Sequence, residues 1–321
     1  MKNKGPLLVL ACYVLFGILP IYWKLLVMVD PYFILANRVV WSLAFALVLL
    51  GVGKNMGALR AAIKDRRSFL VLGTSGVLLV INWGSYIVAV NTGHVIEASL
   101  AYYLNPIMTI LLGAFFFKER LTALQKLSVV LACAGVGYAI LSYGVVPWLA
   151  LIIGASFAFY GAIKKMVALD GVTSLAMECL WMFLPALLLA GGLLASGHTA
   201  QAGQSMGALQ WLLLPTTGVI TGAPLVIYAR GIRTTDYSLA GILMYINPTL
   251  QLLCGIFIFG ETFTHIYAVM FAFVWASVVL YMLSVLLQQR RKTLGKNKRF
   301  FLNNYTLCAK MKKNNEEEIL P

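Results

Sequence analysis

Ten apolar runs of about twenty residues divide this chain, each long enough to cross the hydrocarbon core of a bilayer as a helix. They cover approximately 7–26, 33–52, 69–90, 98–117, 124–142, 147–167, 175–195, 209–229, 238–259 and 265–287. Short hinges such as Gly51-Val52-Gly53-Lys54 and Asp170-Gly171 separate them. In hydrocarbon every backbone N–H and C=O needs a partner inside the protein, so such segments form helices or a closed barrel. The alternating ten-residue strands of a barrel are not in this sequence. With 61% hydrophobic and 11% charged residues, the chain has too little polar surface to enclose a core in water. The expected fold class is an all-α integral membrane protein with ten transmembrane helices.

The runs come in two matching sets. Tyr103-Leu104-Asn105-Pro106 returns as Tyr245-Ile246-Asn247-Pro248, 142 residues later. At the same shift Gly113 returns as Gly255, Phe115 and Phe117 as Phe257 and Phe259, Glu119 as Glu261, Thr122 as Thr264, Gly76 as Gly218 and Tyr86 as Tyr228. The period is too long for a solenoid repeat, so a multi-helix unit has been duplicated. Duplicated halves in a membrane chain are the usual plan of a secondary transporter.

A net charge of +14 raises the question of nucleic acid, and the placement of the cations answers it. Lys and Arg gather in the N-terminal stub, between spans two and three, four and five, six and seven, eight and nine, and after residue 287; the alternate loops hold none. This is the positive-inside pattern, with both termini cytoplasmic, and it makes lipid rather than nucleic acid the partner of the charge. Lys24 and Arg38 fall inside spans.

Five spans per half is an odd number, so the second half enters the membrane from the opposite side. The loop Lys118-Glu119-Arg120 becomes Gly260-Glu261-Thr262, with both cations lost. The expected organisation is a first five-helix repeat over 1–143, an inverted second repeat over 144–287, and a disordered basic cytoplasmic tail over 288–321. Inverted repeats place a solute site near the bilayer midplane, between the halves.

Several features carry no chemistry. The apolar stretch after Lys4 runs past Cys12 to Trp23, too long for a cleaved leader. The five cysteines show no paired spacing, and four sit in spans as small apolar residues. Gly53-Lys54 lacks the rest of a phosphate-binding loop, and His94, His198 and His265 lack metal-ligand spacing. The Asn304 sequon lies in the tail. No cofactor or metal is expected. An integral-membrane enzyme would need a catalytic cluster at one membrane face, which the scattered histidines do not supply. A non-transporting membrane sensor using the tail as a docking segment is a further alternative.

Polar residues within the spans are the candidates for function, because the bilayer rejects them unless they are used or partnered. Arg38 begins a face continued by Trp41 and Ser42. A shift of 140 places Glu178 and Trp181 at the matching positions. The opposite charges read either as a pair across a shared cavity, as two ends of a solute site, or as a snorkelling cation and a locally satisfied acid. Lys24, near a span end, reads as snorkelling, and Glu97 as a helix N-terminal charge. Pro106 frees the carbonyl of Tyr102, and Pro248 that of Met244. Asn105 with Thr109, and Asn247 with Gln251, form a polar notch beside each kink. Asn82 and Tyr86 share one face of span three, with Tyr228 in the matching place beside Pro224. These residues read equally as inter-helix hydrogen bonding or as solute contacts. Gly218 and Gly222 read as close helix contact. Glu119 with Thr122, and Glu261 with Thr264, read as caps of the helices that follow them.

The ten-span duplication with its Asn-Pro…Gly…Glu phrase resembles the EamA-type drug/metabolite transporter superfamily. Asn37-Arg38-Val39-Val40-Trp41-Ser42, Asn82-Trp83, Ala89-Val90-Asn91, Glu97-Ala98-Ser99-Leu100 and Phe157-Ala158-Phe159-Tyr160-Gly161 resemble its RarD branch, named for chloramphenicol sensitivity. The resemblance covers roughly residues 5–288, and the long tail departs from it. It implies a bacterial inner-membrane permease, not an enzyme, that exports small metabolites or drugs. The residues themselves fit alternating access, in which one half rocks against the other, Arg38 attracts an anionic group of the solute and Glu178 a cationic one, with Glu178 also a candidate proton carrier. Trp41, Trp83, Tyr86, Trp181 and Tyr228 form apolar walls, and Asn82, Tyr103, Asn105, Tyr245 and Asn247 complete the pathway for an amphoteric or weakly polar solute.

Overall fold

The computed structural model describes residues 4–91, 95–144, 147–260 and 264–288, with the side chains of 90–98 excluded. His94, the side chain of Glu97, Glu261, Cys308, the sequon and the tail therefore lie outside the described residues. Within them the chain is helical: α1 (Gly5–Lys24), α2 (Pro31–Val52), α3 (Met56–Lys64), α4 (Arg66–Asn91), α5 (Val95–Phe115), α6 (Ala123–Tyr143), α7 (Trp148–Met166), α8 (Gly171–Ala195), α9 (Ala208–Leu213), α10 (Thr216–Ile232), α11 (Tyr237–Leu243) and α12 (Ile246–Cys254). A π-helical turn (Gly255–Phe259) extends α12, and α13 (His265–Gln288) ends the described bundle.

Nine of these stretches are long and apolar enough to cross a membrane, counting α9–α10 and α11 to Phe259 as one each, with Ser99–Phe115 a shorter apolar helix among the described residues. They coincide with the ten predicted runs. Helices α4, α5 and α8 start three or four residues before the hydropathy rises. At α8, Asp170 caps the backbone N–H groups of Val172 and Thr173 at 3.1 Å. Asp30 does the same for α2, accepting from Tyr32 at 2.8 Å and Phe33 at 3.0 Å. A carboxylate at a helix start satisfies orphan donors and faces the positive end of the dipole. The loop between α2 and α4 holds the short helix α3, which hydropathy did not reveal.

Thr122 caps α6 in a reciprocal box with Gln125, as expected of it. Glu119 does not serve that helix. Its carboxylate accepts the N–H groups of Tyr237 at 2.6 Å and Ser238 at 2.8 Å, the first turn of α11 in the other half. The two Asn-Pro copies also diverge. Helix α5 runs unbroken through Pro106, whereas span nine breaks between α11 and α12, where the Met244 carbonyl accepts from Asn247 N–H at 2.9 Å. That tighter turn replaces the bond Pro248 cannot make.

The main packing partners join the two halves and exchange when the halves are swapped. Helix α5 lies on α7 as α12 lies on α1; α4 lies on α7 as α10 lies on α1; α4 lies on α8 as α10 lies on α2. Helices α2 and α8 pair directly, as do α5 and α11. The α5–α11 contact is antiparallel, since the Ser238 hydroxyl reaches the Ile110 carbonyl while the Tyr245 hydroxyl reaches that of Tyr103. Gly218 permits the α10–α2 approach: a Cβ there would lie 2.2 Å from the carbonyl carbon of Trp41. Gly76 plays the matching part on α4, where a Cβ would lie 2.7 Å from the carbonyl oxygen of Glu178. Away from these seams apolar side chains point outward, Leu141 at 83% exposure and Val52 at 80%, which suits a lipid-facing rim.

A chamber on one side of the bundle and a seal on the other

One cavity of about 430 Å³ opens into the bundle, within the range of small-molecule sites. Its walls come from the C-terminal halves of α1 and α4, the N-terminal halves of α2, α5 and α7, and α12 with its π turn. All of these lie toward the end of the bundle remote from Gly5. Of the predicted residues, Arg38, Asn82, Trp83, Tyr86, Asn105 and Asn247 line it.

Arg38 sits at the centre of the charged geometry. Its guanidinium carbon lies 3.9 Å from the ring centroid of Trp83 and 5.0 Å from that of Trp23, and its Nε donates to the Thr221 hydroxyl at 3.2 Å. Stacking on indole faces stabilises the cation and fixes its plane. Among the described residues no carboxylate pairs with it. Asn105 Oδ1 accepts from Thr109 at 3.3 Å, and Asn247 Oδ1 accepts from Gln251 at 2.7 Å, so both predicted notches form. Asn82 spends its amide on the carbonyl of Ile153 at 2.7 Å. Lys24 does not simply reach for solvent. It lines the chamber mouth, donating to Ile258 O at 3.1 Å and lying 4.8 Å over Phe259.

The other six predicted residues lie elsewhere. Glu178 does not face Arg38. It is buried against Lys164 at 2.7 Å and accepts from the Ser75 hydroxyl at 2.6 Å. The pairing of equivalent charges fails because the symmetry that relates α2 to α8 also carries their side chains to opposite ends of the bundle. Trp181 is no chamber wall: its ring occupies the space beside Gly73, and its Nε1 donates to Phe69 O at 2.9 Å. Trp41 turns away from Arg38, its Nε1 held by Asn37 at 3.2 Å. Tyr103 and Tyr245 are buried at the end of the α5–α11 seam. Tyr228 is fully buried and stacked on Tyr160 with centroids 6.3 Å apart.

Tyr228 belongs to a seal beneath the chamber. Tyr13, Phe157, Tyr160 and Tyr237 pack around it, and Lys164 lies 5.4 Å from the Tyr160 ring centre. The Glu119 cap on α11 closes the same end, with Lys165 at 3.9 Å. Within this seal the hydroxyls of Tyr13 and Tyr237 interact with that of Tyr228, and the Tyr160 hydroxyl interacts with Glu178, so the buried polar atoms partner one another. By sequence Lys164 belongs with the loop cations that orient the chain; no local pattern distinguishes it from Lys165. Trp23 and Tyr102, both chamber walls, carried no signal beyond their apolar runs.

The EamA-like transporter family matches residues 3–141. Protein RarD of Escherichia coli strain K12 is 35% identical over 289 residues, 90% of this chain and 97% of that protein. This chain is a member of the RarD-like branch of the EamA family. The uncharacterized transporter YojE of Bacillus subtilis is 38% identical over 286 residues, 88% of this chain and 94% of its relative. The chloramphenicol-sensitive protein RarD of Pseudomonas aeruginosa is 31% identical, covering 87% and 94%. A solved crystal structure with 19% identity superposes with a TM-score of 0.68 over 88% of this chain and 99% of that one, so the two share a fold. The RarD-like chain is thus a multi-pass membrane transporter rather than an enzyme.

Proposed function

We propose that the protein is a secondary-active permease of a bacterial inner membrane that exports small metabolites or drugs by alternating access. The halves 1–143 and 144–287 act as inverted repeats, and both termini are cytoplasmic. In this orientation the chamber faces outward and the tyrosine seal faces the cytoplasm. The observation that carries the reading is the asymmetry of a nearly symmetric bundle: one end is open around Arg38, while the equivalent end around Glu178 is closed. A two-fold arrangement of helices can place the opening at either end, and rocking one half against the other exchanges them.

The polar interior of the seal supports exchange. Water entering from the cytoplasm can take over the hydrogen bonds of buried hydroxyls and of a carboxylate, which it cannot do for apolar side chains. The closed end is therefore held less tightly than an apolar plug would be. Native Cys12, buried beside Tyr13, reports on the seal. In reconstituted vesicles, with Cys133, Cys179, Cys254 and Cys308 replaced by alanine, Tyr86→Cys is expected to react with an impermeant maleimide from the outer face and Cys12 from the cytoplasmic face. A solute gradient that raises one reactivity should lower the other. Reaction of both from one face, or no reciprocity under any gradient, would overturn the mechanism.

A further inference from the structure

Among the described residues the chamber contains cations and no acid. Arg38 and Lys24 contribute to its walls, and no Asp or Glu does so among the described residues. Glu178, which would have met a solute ammonium, is neutralised by Lys164 in the seal instead. Arg38 spends one N–H on Thr221, leaving four of its five donors in the plane between two indoles. The oxygens of Asn105 and Asn247 are taken by Thr109 and Gln251, so each amide has its NH₂ group to offer. The polar groups converging on this cavity are therefore mainly donors, surrounded by aromatic faces.

We propose that the chamber binds a small organic monoanion, a carboxylate or sulfonate on an apolar or aromatic body. The anionic group meets the open edge of Arg38, where a planar guanidinium accepts it through two parallel hydrogen bonds. The body lies against Trp83, Tyr86 and Phe157. Lys24 at the mouth raises the local concentration of anions and repels cations. An arginine partly desolvated by two indoles and without a counter-charge is costly, and an anionic occupant offsets that cost. The proposal rests on this chamber being the transport site and narrows what it carries from amphoteric solutes to anionic ones.

Trp23 and Trp83 flank Arg38, so tryptophan fluorescence reads the site in purified full-length protein whose Trp41, Trp148, Trp181, Trp211 and Trp275 are replaced by phenylalanine. The probes are iodide, caesium and neutral acrylamide at constant ionic strength, each normalised to its quenching of free N-acetyltryptophanamide. Iodide should exceed caesium several-fold, as expected of a cation-lined cleft. Arg38→Gln should lower the iodide-to-acrylamide ratio about two-fold while Arg38→Lys preserves it. Phenylacetate should displace iodide at lower concentration than acetate does, and phenylacetamide should not displace it. Caesium equal to iodide, or an unchanged ratio in Arg38→Gln, overturns the anion site; if that variant does not fold, failure of phenylacetate to displace iodide from the wild type overturns it. Equal potency of acetate and phenylacetate overturns the apolar body. These are equilibrium readouts, so their failure would leave reciprocal labelling of Cys12 intact, and failure of the labelling would leave the anion preference standing.

Discussion

Lys164 on α7 and Glu178 on α8 meet at 2.7 Å with both side chains 1% exposed. Such a pair is costly to break and cheap to replace. Removing one partner strands a buried charge, whereas removing both also removes the desolvation penalty. Glu178→Gln or Lys164→Met alone is expected to destabilise the protein by about 3–5 kcal/mol. The double variant Lys164→Met/Glu178→Met should recover most of that stability. Melting curves in detergent check the cycle, and flux in vesicles separates stability from transport. A double variant that is stable yet inactive would make the pair part of the working seal.

Glu119 joins the halves at the sealed end by accepting two N–H groups from α11. Glu119→Ala leaves both donors unbonded, at a cost of about 1–3 kcal/mol. Because the cost falls only on the closed arrangement, the cytoplasmic end should open more often. Faster alkylation of Cys12 by maleimide in Glu119→Ala than in the wild type is the expected result, with Glu119→Gln between them.

Gly218→Ala places a methyl group 2.2 Å from the backbone of Trp41, where no flexible side chain can yield. Overpacking of this kind costs about 1–3 kcal/mol or more. Gly137→Ala on α6 meets nothing within 4 Å and is the control. The yield of monodisperse protein and its melting temperature should fall in the first variant and hold in the second.

Asp65 caps the start of α4 by accepting from Ser68 N–H at 3.0 Å. Its hydrogen bonds with Ser68 hold the carboxyl below the usual carboxylate range. A lowered native value means the stabilisation is present above the usual carboxylate range and lost as pH falls below it through the lowered value. Hydrogen exchange over 66–69 should therefore speed up on acidification, after correction for the intrinsic rate, and this extra acceleration should vanish in Asp65→Asn.

The span positions, the duplicated plan and the family were legible in the residues. So were the two Asn-centred notches and the Thr122 cap, because each needs only contacts within one turn of a helix. Arg38 could be singled out as a cation the bilayer should not tolerate, but its stacking on Trp23 joins two helices and left no local trace. Lys164 looked like its neighbour Lys165 until α8 supplied Glu178.

What the sequence determined by itself is how the chain partitions between water and lipid. Hydropathy and the alternation of charge act segment by segment, and the repeat is a relation between strings. Tertiary structure decided which polar groups share a space. Equivalent residues at a shift of 140 landed at opposite ends of the bundle, Arg38 in an open chamber and Glu178 in a closed seam. Sequence symmetry marks them as counterparts. Whether counterparts touch depends on helix direction and on which end is open, and both are properties of the packed bundle.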